Sequence, residues 1–193
     1  MRSHQQHFFK AFLRDAGKVG SVMPSSPELA GIMLEWMDWP SIDCVVEFGT
    51  GTGVFTEMVR DHLKPGGRFL AIERDPVLAE ITRERCPGVE LHETCVSRVA
   101  TICREAGVEK VDAVVCGLPW ASFSSDLQDE FLDAMFDVLP PGGQFATFAY
   151  WQGLLLPAGQ RFRRFLKQHF SKVEQSPTAW RNLPPAFVYR CER

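Results

Sequence analysis

The stretch from Asp43 to Gly53, Asp-Cys-Val-Val-Glu-Phe-Gly-Thr-Gly-Thr-Gly, constrains the fold more than any other part of the chain. Its first half is apolar and contains β-branched valines, which indicates a buried parallel strand. Its second half places glycine at Gly49, Gly51 and Gly53, where the backbone can turn tightly and a ligand can approach the peptide groups. The apolar residues that follow recur at helical spacing up to Lys64-Pro65-Gly66-Gly67. A strand, a glycine turn and a helix in this order predict a ligand cradle.

A second strand is predicted from Arg68 to Ile72, and Glu73 follows it. Glu73 lies twenty positions after Gly53, which is where nucleotide-binding α/β folds place a carboxylate that accepts hydrogen bonds from ribose. The spacing G-x-G-x-G after an acid resembles the first motif of S-adenosylmethionine-dependent methyltransferases more than a dinucleotide site. The chain contains no G-x-x-x-x-G-K-[ST] motif, so a P-loop is not supported.

Composition favours one soluble globular domain, since 45% of the 193 residues are hydrophobic and 23% are charged. The net charge of −3 argues against a surface built generally for nucleic acid. Two segments depart from this balance: residues 1–20 carry a net charge of +3 and residues 161–172 carry +5. The rest of the chain is therefore clearly acidic.

Cysteine usage indicates a reducing compartment and no metal site, because the six cysteines include no C-x-x-C pair and no zinc-type spacing with histidine. The N-terminus lacks the apolar core of a signal peptide, and no apolar run approaches the roughly 18 residues that a membrane-spanning helix needs. We therefore expect a cytoplasmic protein.

The N-terminal residues His4 to Lys18 predict an amphipathic helix with an apolar side and basic residues largely elsewhere. Two interpretations are open: the helix packs on the edge of the domain, or it binds a membrane surface. The expected organisation is an N-terminal helix within residues 1–20 followed by one domain at 21–193. The residues of the apolar side are Phe8, Phe9, Phe12, Leu13 and Ala16.

The remaining pattern alternates helices with strands, which predicts a mostly parallel sheet with helices on both faces and a closing antiparallel hairpin. Ser125 and Gln128 are predicted to form a capping box at the start of one helix. Further helices are expected at about Pro27 to Asp38, Pro76 to Arg85, Val96 to Ala106, from Ser125, and Gln160 to His169. Further strands are expected at about Gly88 to Glu93, Val111 to Cys116, Gln144 to Tyr150, Phe170 to Gln175 and Ala186 to Cys191.

Aromatic residues follow the fourth and fifth strands, in Gly117-Leu118-Pro119-Trp120 and Tyr150-Trp151. The carboxyl ends of parallel strands meet at one crevice, so both segments are expected to face the glycine motif. Trp120 packed on Pro119 and Tyr150 buried at a strand end are the alternatives. Their convergence on one crevice favours a role for both in a ligand site.

The chain as a whole resembles the small soluble bacterial phospholipid N-methyltransferases, which methylate the amine of phosphatidylethanolamine with S-adenosylmethionine. The glycine motif is common to class I methyltransferases, whereas the lead-in, Gly-Leu-Pro-Trp and Asn-Leu-Pro-Pro segments are more specific. The matching segments are Lys18 to Ser26, Val46 to Thr56, Ala71 to Pro76, Asp112 to Trp120 and Asn182 to Tyr189.

The resemblance implies a class I methyltransferase fold, a Rossmann-like sheet of seven strands in the order 3-2-1-4-5-7-6. It also implies a peripheral enzyme on the inner face of the cell membrane, bound to an anionic surface through its N-terminal helix, without nucleic acid or metal. Trp120 and Tyr150 are the expected catalytic residues that shape the amine site. The expected cofactor-binding residues are Glu47, Gly49, Thr50, Gly51, Thr52, Gly53, Glu73, Arg74, Thr94, Cys95 and Gly117.

The third-strand exit, Glu93-Thr94-Cys95, departs from the family pattern and leaves adenine recognition unassigned. The rival enzyme class is an rRNA adenine N6-dimethyltransferase, a family that has Asn-Leu-Pro-Tyr where this chain has Gly117 to Trp120. An asparagine can hydrogen-bond an exocyclic adenine amine and glycine cannot. A non-catalytic methyltransferase-like binding protein is the other alternative, and the intact glycines with Glu73 argue against it.

Overall fold

The predicted first strand lies at the centre of the sheet. The computed structural model describes residues 25–193. Strand β1 (Cys44–Phe48) is buried throughout and pairs in parallel with β2 (Arg68–Glu73) on one side and β4 (Ala113–Cys116) on the other. Backbone hydrogen bonds on both edges and apolar side chains on both faces account for its freedom from water, as expected for a covered parallel strand.

The other strands extend the sheet outward from this centre. β3 (Glu90–Glu93) pairs in parallel with β2, and β5 (Gln144–Tyr150) pairs in parallel with β4. β7 (Ala186–Glu192) is antiparallel to both β5 and β6 (Lys172–Gln175). The order β3-β2-β1-β4-β5-β7-β6 confirms the predicted order of the seven-stranded sheet. The chain changes direction between β1 and β4, which is where open α/β sheets bind ligands.

Six α-helices cover the two faces of the sheet within the described residues. One face packs against α1 and α2, and the other packs against α4, α5 and α6, each through a continuous apolar cluster. Fully buried leucine and phenylalanine side chains in these clusters contribute about 1.5 to 3 kcal/mol each. The helices are α1 (Pro27–Leu34), α2 (Val54–His62), α3 (Pro76–Arg85), α4 (Val99–Glu105), α5 (Ser125–Val138) and α6 (Pro157–His169).

Helix α1 ends at Leu34, four residues before the predicted end at Asp38. The side chains of Trp36 and Trp39 account for the early end, because their indole N–H groups donate to the carbonyls of Met33 and Leu34 at 3.0 and 3.1 Å. These bonds satisfy carbonyls that the last helical turn leaves without partners. A short 3₁₀ turn at Trp39–Ser41 follows.

The predicted capping box of α5 does not form, and the N-cap lies one residue before the predicted Ser125. Ser124 is the N-cap, and its hydroxyl accepts the N–H of Leu127 at 3.4 Å. Gln128 does not reach back to the cap, because its side chain is fully buried and bonded elsewhere. The pattern located the helix start correctly and assigned the wrong partner to Gln128.

The predicted N-terminal helix and its membrane-binding side chains lie outside the described residues. Ser26 accepts the N–H of Leu29 at 3.1 Å and caps α1. Within residues 25–193 no helix combines the length and apolar character needed to cross a bilayer. In the same range no three potential metal ligands lie close enough together to hold an ion.

Candidate active site

Two neighbouring cavities open where the carboxyl ends of β1, β2, β4 and β5 meet. The large cavity has a volume of about 560 Å³ and the small cavity about 180 Å³. Both are lined by Pro119, Ala121, Ser122 and Leu156, which we call the shared wall. The large cavity alone falls in the range of small-molecule sites in proteins.

One end of the large cavity brings together five residues predicted to bind cofactor, and we call it the polar end. These residues are Gly49, Glu73, Arg74, Thr94 and Cys95. They come from the exits of β1, β2 and β3, which are adjacent in the sheet. Sequence segments that are separate in the chain therefore meet as the parallel-sheet argument required.

The carboxylate of Glu73 connects the glycine turn to the end of β2 through hydrogen bonds. Its Oε2 accepts the N–H of Gly51 at 3.0 Å, and its Oε1 accepts the N–H of Asp75 at 2.9 Å. Burial raises the pKa of this carboxyl, while the backbone donors act in the opposite direction. Each carboxylate oxygen can still accept a further hydrogen bond, for example from a ligand hydroxyl.

Gly51 has the left-handed φ of +57°, and a Cβ built on it would meet nothing within 4 Å. The backbone there faces open space instead of packing against another element. Such a position lets a ligand lie directly against the peptide groups. The local geometry is compatible with the cradle that the glycine spacing predicts, although Gly51 itself lines neither cavity.

Thr82 of α3 forms hydrogen bonds with the glycine turn, and the sequence did not predict this role for Thr82. Its hydroxyl donates to the carbonyl of Gly51 at 3.2 Å and lies 2.9 Å from the hydroxyl of Thr50. Since the Thr82 hydrogen is directed to Gly51, the Thr50 hydroxyl is the donor in the second bond. Thr50 is 3% exposed, and it lies outside both cavities, as do Thr52 and Gly53 of the same turn. Thr82 shares the buried side of α3 with Leu78, a pattern readable in sequence.

Glu47 is completely buried in β1, and neither of its carboxylate oxygens has a hydrogen-bond partner among residues 25–193. The hydroxyl of Thr56 in α2 is close enough to lower the pKa of Glu47, but it forms no hydrogen bond of normal geometry with the carboxylate. Burial raises the pKa of Glu47 to about 8. A buried carboxyl without a partner is costly, and a cationic group of a ligand would relieve that cost.

Glu93 does not reach the large cavity. Its carboxylate forms an ion pair with Arg83 at 3.1 Å on the surface. Thr94 and Cys95 line the cavity instead, and the N–H of Thr94 donates to the carbonyl of Glu73 at 3.0 Å. The third-strand exit therefore offers a hydroxyl and a thiol at the place where the family pattern has an acid.

Gly117 lines neither cavity, although it was predicted to bind cofactor. Its N–H donates to the carbonyl of Phe48 at 2.8 Å. A Cβ built on Gly117 would lie 2.5 Å from the carbonyl oxygen of Gly49. The absence of a side chain therefore lets the exits of β1 and β4 touch, which brings Leu118 and Pro119 to the large cavity.

The small cavity contains both predicted amine-site residues, Trp120 and Tyr150. Trp120 is 3% exposed, stacks on Phe162 with 4.5 Å between ring centroids, and donates from Nε1 to the hydroxyl of Thr147 at 3.1 Å. It forms a fixed wall rather than a free ring in a loop. Burial raises the pKa of Tyr150, whose ring meets Phe148 edge-on at 5.4 Å.

Tyr189 of β7 also lines the small cavity, and the sequence analysis gave it no role. Its hydroxyl is buried and has no hydrogen-bond partner among residues 25–193. Burial raises its pKa to about 12, so the hydroxyl stays protonated at neutral pH. A buried phenol without a partner is a natural contact for a polar group of a ligand.

The other end of the large cavity is apolar, and sequence reasoning did not identify it. This apolar end is lined by Phe123, Leu127, Phe131 and Leu156. The buried amide of Gln128 holds it together, since Nε2 donates to the carbonyls of Trp120 at 2.7 Å and Ala158 at 3.1 Å. Its Oε1 accepts from Arg161 at 3.0 Å. One side chain thus joins the turn after β4 to the start of α6.

Comparison with known proteins agrees with the fold. A family model described as a methyltransferase domain matches residues 45–143. An ornithine lipid N-methyltransferase from Singulisphaera acidiphila is 32% identical over 187 residues, which cover 95% of this chain and 93% of that relative. The match therefore extends through both cavities.

Solved structures share the architecture at low sequence identity. An O-methyltransferase from Bacillus cereus in complex with SAH superposes with a TM-score of 0.71 at 13% identity, covering 96% of this chain and 90% of that one. The O-methyltransferase TomG from Streptomyces achromogenes in complex with SAM gives a TM-score of 0.65 at 18% identity, covering 90% and 82%. At these identities the likeness establishes the fold.

Proposed function

Because the chain belongs to the methyltransferase-domain family and is an S-adenosylmethionine-dependent enzyme, we propose that it methylates the amine of phosphatidylethanolamine at a membrane surface. The relative from Singulisphaera acidiphila, named for ornithine lipid, supports a lipid amine as the acceptor. The observation that carries the proposal is the large cavity, whose polar end continues into an apolar end. That arrangement fits a polar cofactor beside an amphiphilic acceptor.

The residues at the polar end, together with Glu47 of β1 and Gly51 of the glycine turn beside it, fit S-adenosylmethionine. Glu47 offers an unpartnered buried carboxyl to the ammonium of its methionine part. Gly51 leaves space for close approach, and Glu73 retains acceptor capacity for ribose hydroxyls. Thr94 and Cys95 lie where the adenine would be contacted. When bound, the cofactor supplies a methyl group carried on a positively charged sulfur.

For the acceptor, the protein has to position an amine and exclude water. A neutral nitrogen can attack a methyl sulfonium without a covalent enzyme intermediate. The shared wall would hold the amine between the two cavities. Trp120 and Tyr150 would then contact the head group, which becomes permanently cationic after full methylation. Cation–π attraction of this kind is worth about 0.5 to 2 kcal/mol.

We also propose that the predicted N-terminal helix binds the membrane surface. Phe8, Phe9 and Phe12 would enter the head-group region while Lys10 and Arg14 meet anionic phosphates. Each such cation contributes about 1 kcal/mol near an anionic surface. We infer reversible attachment to the inner face of the cell membrane.

Gly117 argues against the RNA alternative. The asparagine that the adenine dimethyltransferases carry at the matching position would place its Cβ 2.5 Å from the Gly49 carbonyl oxygen. The two strand exits would have to separate to admit it. The contact geometry therefore favours an acceptor recognised without an amide at this point.

Transfer of labelled methyl groups tests the proposal. Purified protein is incubated with methyl-labelled S-adenosylmethionine and, separately, phosphatidylethanolamine vesicles, ornithine lipid vesicles or ribosomal RNA. We expect label in phosphatidylethanolamine, with lower incorporation into ornithine lipid. Label confined to ornithine lipid would correct the substrate, and label in RNA alone would contradict a lipid acceptor.

A further inference from the structure

Exposed apolar side chains collect in two segments beside the cavities. Outside these two segments, the large exposed hydrophobic side chains among the described residues are Val77 and Ile81, both on α3. Water-exposed tryptophan and leucine side chains in one area of a protein surface often mark a binding surface. The five side chains, which we call the apolar rim, are Trp151 (43% exposed), Leu155 (79%), Leu156 (48%), Trp180 (72%) and Leu183 (62%).

The two segments of the rim are in contact with each other and are held in place. The indole of Trp151 donates to the hydroxyl of Thr178 at 3.2 Å, which joins the 151–156 segment to the loop before β7. Buried Asn182 orders that loop, since its Nδ2 donates to the carbonyl of Pro184 at 2.8 Å. Hydrogen bonds therefore hold the two segments that carry the apolar side chains of the rim.

The rim is continuous with the proposed acceptor path. Leu156 belongs to the rim and to the shared wall, so it lines both cavities while remaining half exposed. A lipid with long acyl chains stays largely in its bilayer when its head group is methylated. The exposed part of the cavity wall at Leu156 would then face that bilayer.

Exposed cations follow the 151–156 segment of the rim in the chain and adjoin Trp180 in the other segment. Arg163, Arg164 and Lys167 are exposed on α6 and form no ion pair within residues 25–193, whereas Arg161 and Lys172 are paired with acids. Arg181 is exposed beside Trp180. The N–H of Ser26 donates to Asn182 Oδ1 at 2.9 Å, so the residue before α1 is bonded to the rim loop.

We propose that the apolar rim is the surface with which the enzyme sits on a bilayer that contains anionic lipid. Trp180, Leu155 and Leu183 lie at the depth of the head groups, where tryptophan is favoured, and the exposed cations meet lipid phosphates. The inference rests on the proposed lipid substrate for its rationale. Its binding test is independent of that substrate.

Binding of the full-length protein is measured by sedimentation with vesicles of phosphatidylcholine and phosphatidylglycerol, which carry no methylatable amine. We compare wild type with Leu155→Ser/Trp180→Ser and with the matched control Val77→Ser/Ile81→Ser, which removes two exposed side chains elsewhere. We expect about tenfold weaker binding for the rim variant and unchanged binding for the control. Equal binding of the rim variant and wild type would overturn the proposal.

Insertion of the rim is read from tryptophan emission with bromine-labelled phosphatidylcholine. Trp180→Phe keeps an apolar ring, so it should bind nearly as well as wild type and lose a large part of the quenchable emission. Emission from Trp180 that the brominated lipid does not quench would show that another surface, a second copy or the N-terminal segment covers the rim, and would overturn the proposal.

Activity on two forms of substrate separates this inference from the proposed function. On short-chain phosphatidylethanolamine below its micelle concentration, the rim variant should match wild type, and on long-chain vesicles it should be about tenfold slower. Equal loss on both forms would overturn a membrane role. A different result is that wild type methylates neither form of phosphatidylethanolamine while the rim variant still loses vesicle binding. That result would support the rim as the membrane-binding surface and contradict the proposed substrate.

Discussion

The polar end of the large cavity is built from three strand exits that follow one another closely in the chain, whereas the small cavity is assembled from distant segments. Gly49, Glu73 and Thr94 all lie within the first half of the chain. Trp120, Phe162 and Tyr189 come from three separate elements of the second half. The comparison teaches that a local motif can specify the proposed cofactor half, while the proposed acceptor half depends on how the last helices and strands pack.

The largest expected effect is on the polar end, through Gly51→Val. The added side chain would occupy the open space above the glycine turn, and we expect cofactor affinity to fall more than about 100-fold, or roughly 2.7 kcal/mol. The matched control is Gly66→Val, since Gly66 also has a positive φ of +84° with nothing near its Cβ. Calorimetry with S-adenosylmethionine should show normal binding by the control. Binding of both variants at wild-type affinity would remove Gly51 from the site.

Glu73→Ala should have the next largest effect. It removes the acceptor for the Gly51 and Asp75 N–H groups as well as for a ribose hydroxyl, so we expect cofactor binding to weaken by about 1.5 to 3 kcal/mol. Glu93→Ala is the control, because Glu93 is paired with Arg83 at the surface. A dissociation constant unchanged in Glu73→Ala would place the ribose elsewhere.

Much of the cofactor half could be predicted from sequence because its signals are local. The apolar strand, the glycine turn, the helix and Glu73 follow one another, and β5 has the predicted bounds Gln144–Tyr150. The rest required tertiary structure. Burial of Trp120 comes from stacking on Phe162, and Gln128 bonds two segments that sequence spacing does not bring together. The unpartnered hydroxyl of Tyr189 follows from its neighbours, which no periodic pattern encodes.

Glu47 of β1, which lies next to the polar end in the sheet, provides a pH test. Its folded pKa of about 8 lies above the ordinary value of 4.5, so the native state binds this proton more tightly than the unfolded chain. The stability it contributes is complete below pH 4.5, falls as pH rises towards 8 and is constant above that.

Glu47→Gln should remove that pH dependence, with a change in relative stability of about 1.4 kcal/mol or more across the interval. Urea unfolding of the cofactor-free protein at pH 5 and pH 9 measures it. Glu57→Gln, at a surface position paired with Arg85, is the control. Parallel stability profiles of Glu47→Gln and wild type would mean that the carboxyl is not isolated from water.

The smallest expected effect belongs to the small cavity. Tyr150→Leu should leave cofactor affinity unchanged and slow methylation of lipids that already carry two methyl groups by about fivefold, roughly 1 kcal/mol, because a cation–π contact is lost. The unmethylated lipid should be affected less. Turnover of mono-, di- and unmethylated substrates measures the trend, and equal slowing of all three would argue against an aromatic contact with the cationic head group.

The bonding of Gln128 also bears on how such an enzyme can be re-engineered. Its one amide joins the carbonyls of Trp120 and Ala158 and the guanidinium of Arg161, so these positions are chemically interdependent. Exchanging either segment alone would leave a buried amide, carbonyl or cation without its partner. Retargeting the enzyme to another amine therefore calls for transplanting residues 120–128 and 157–161 together, as a single cassette, while the glycine turn and Glu73 are left in place.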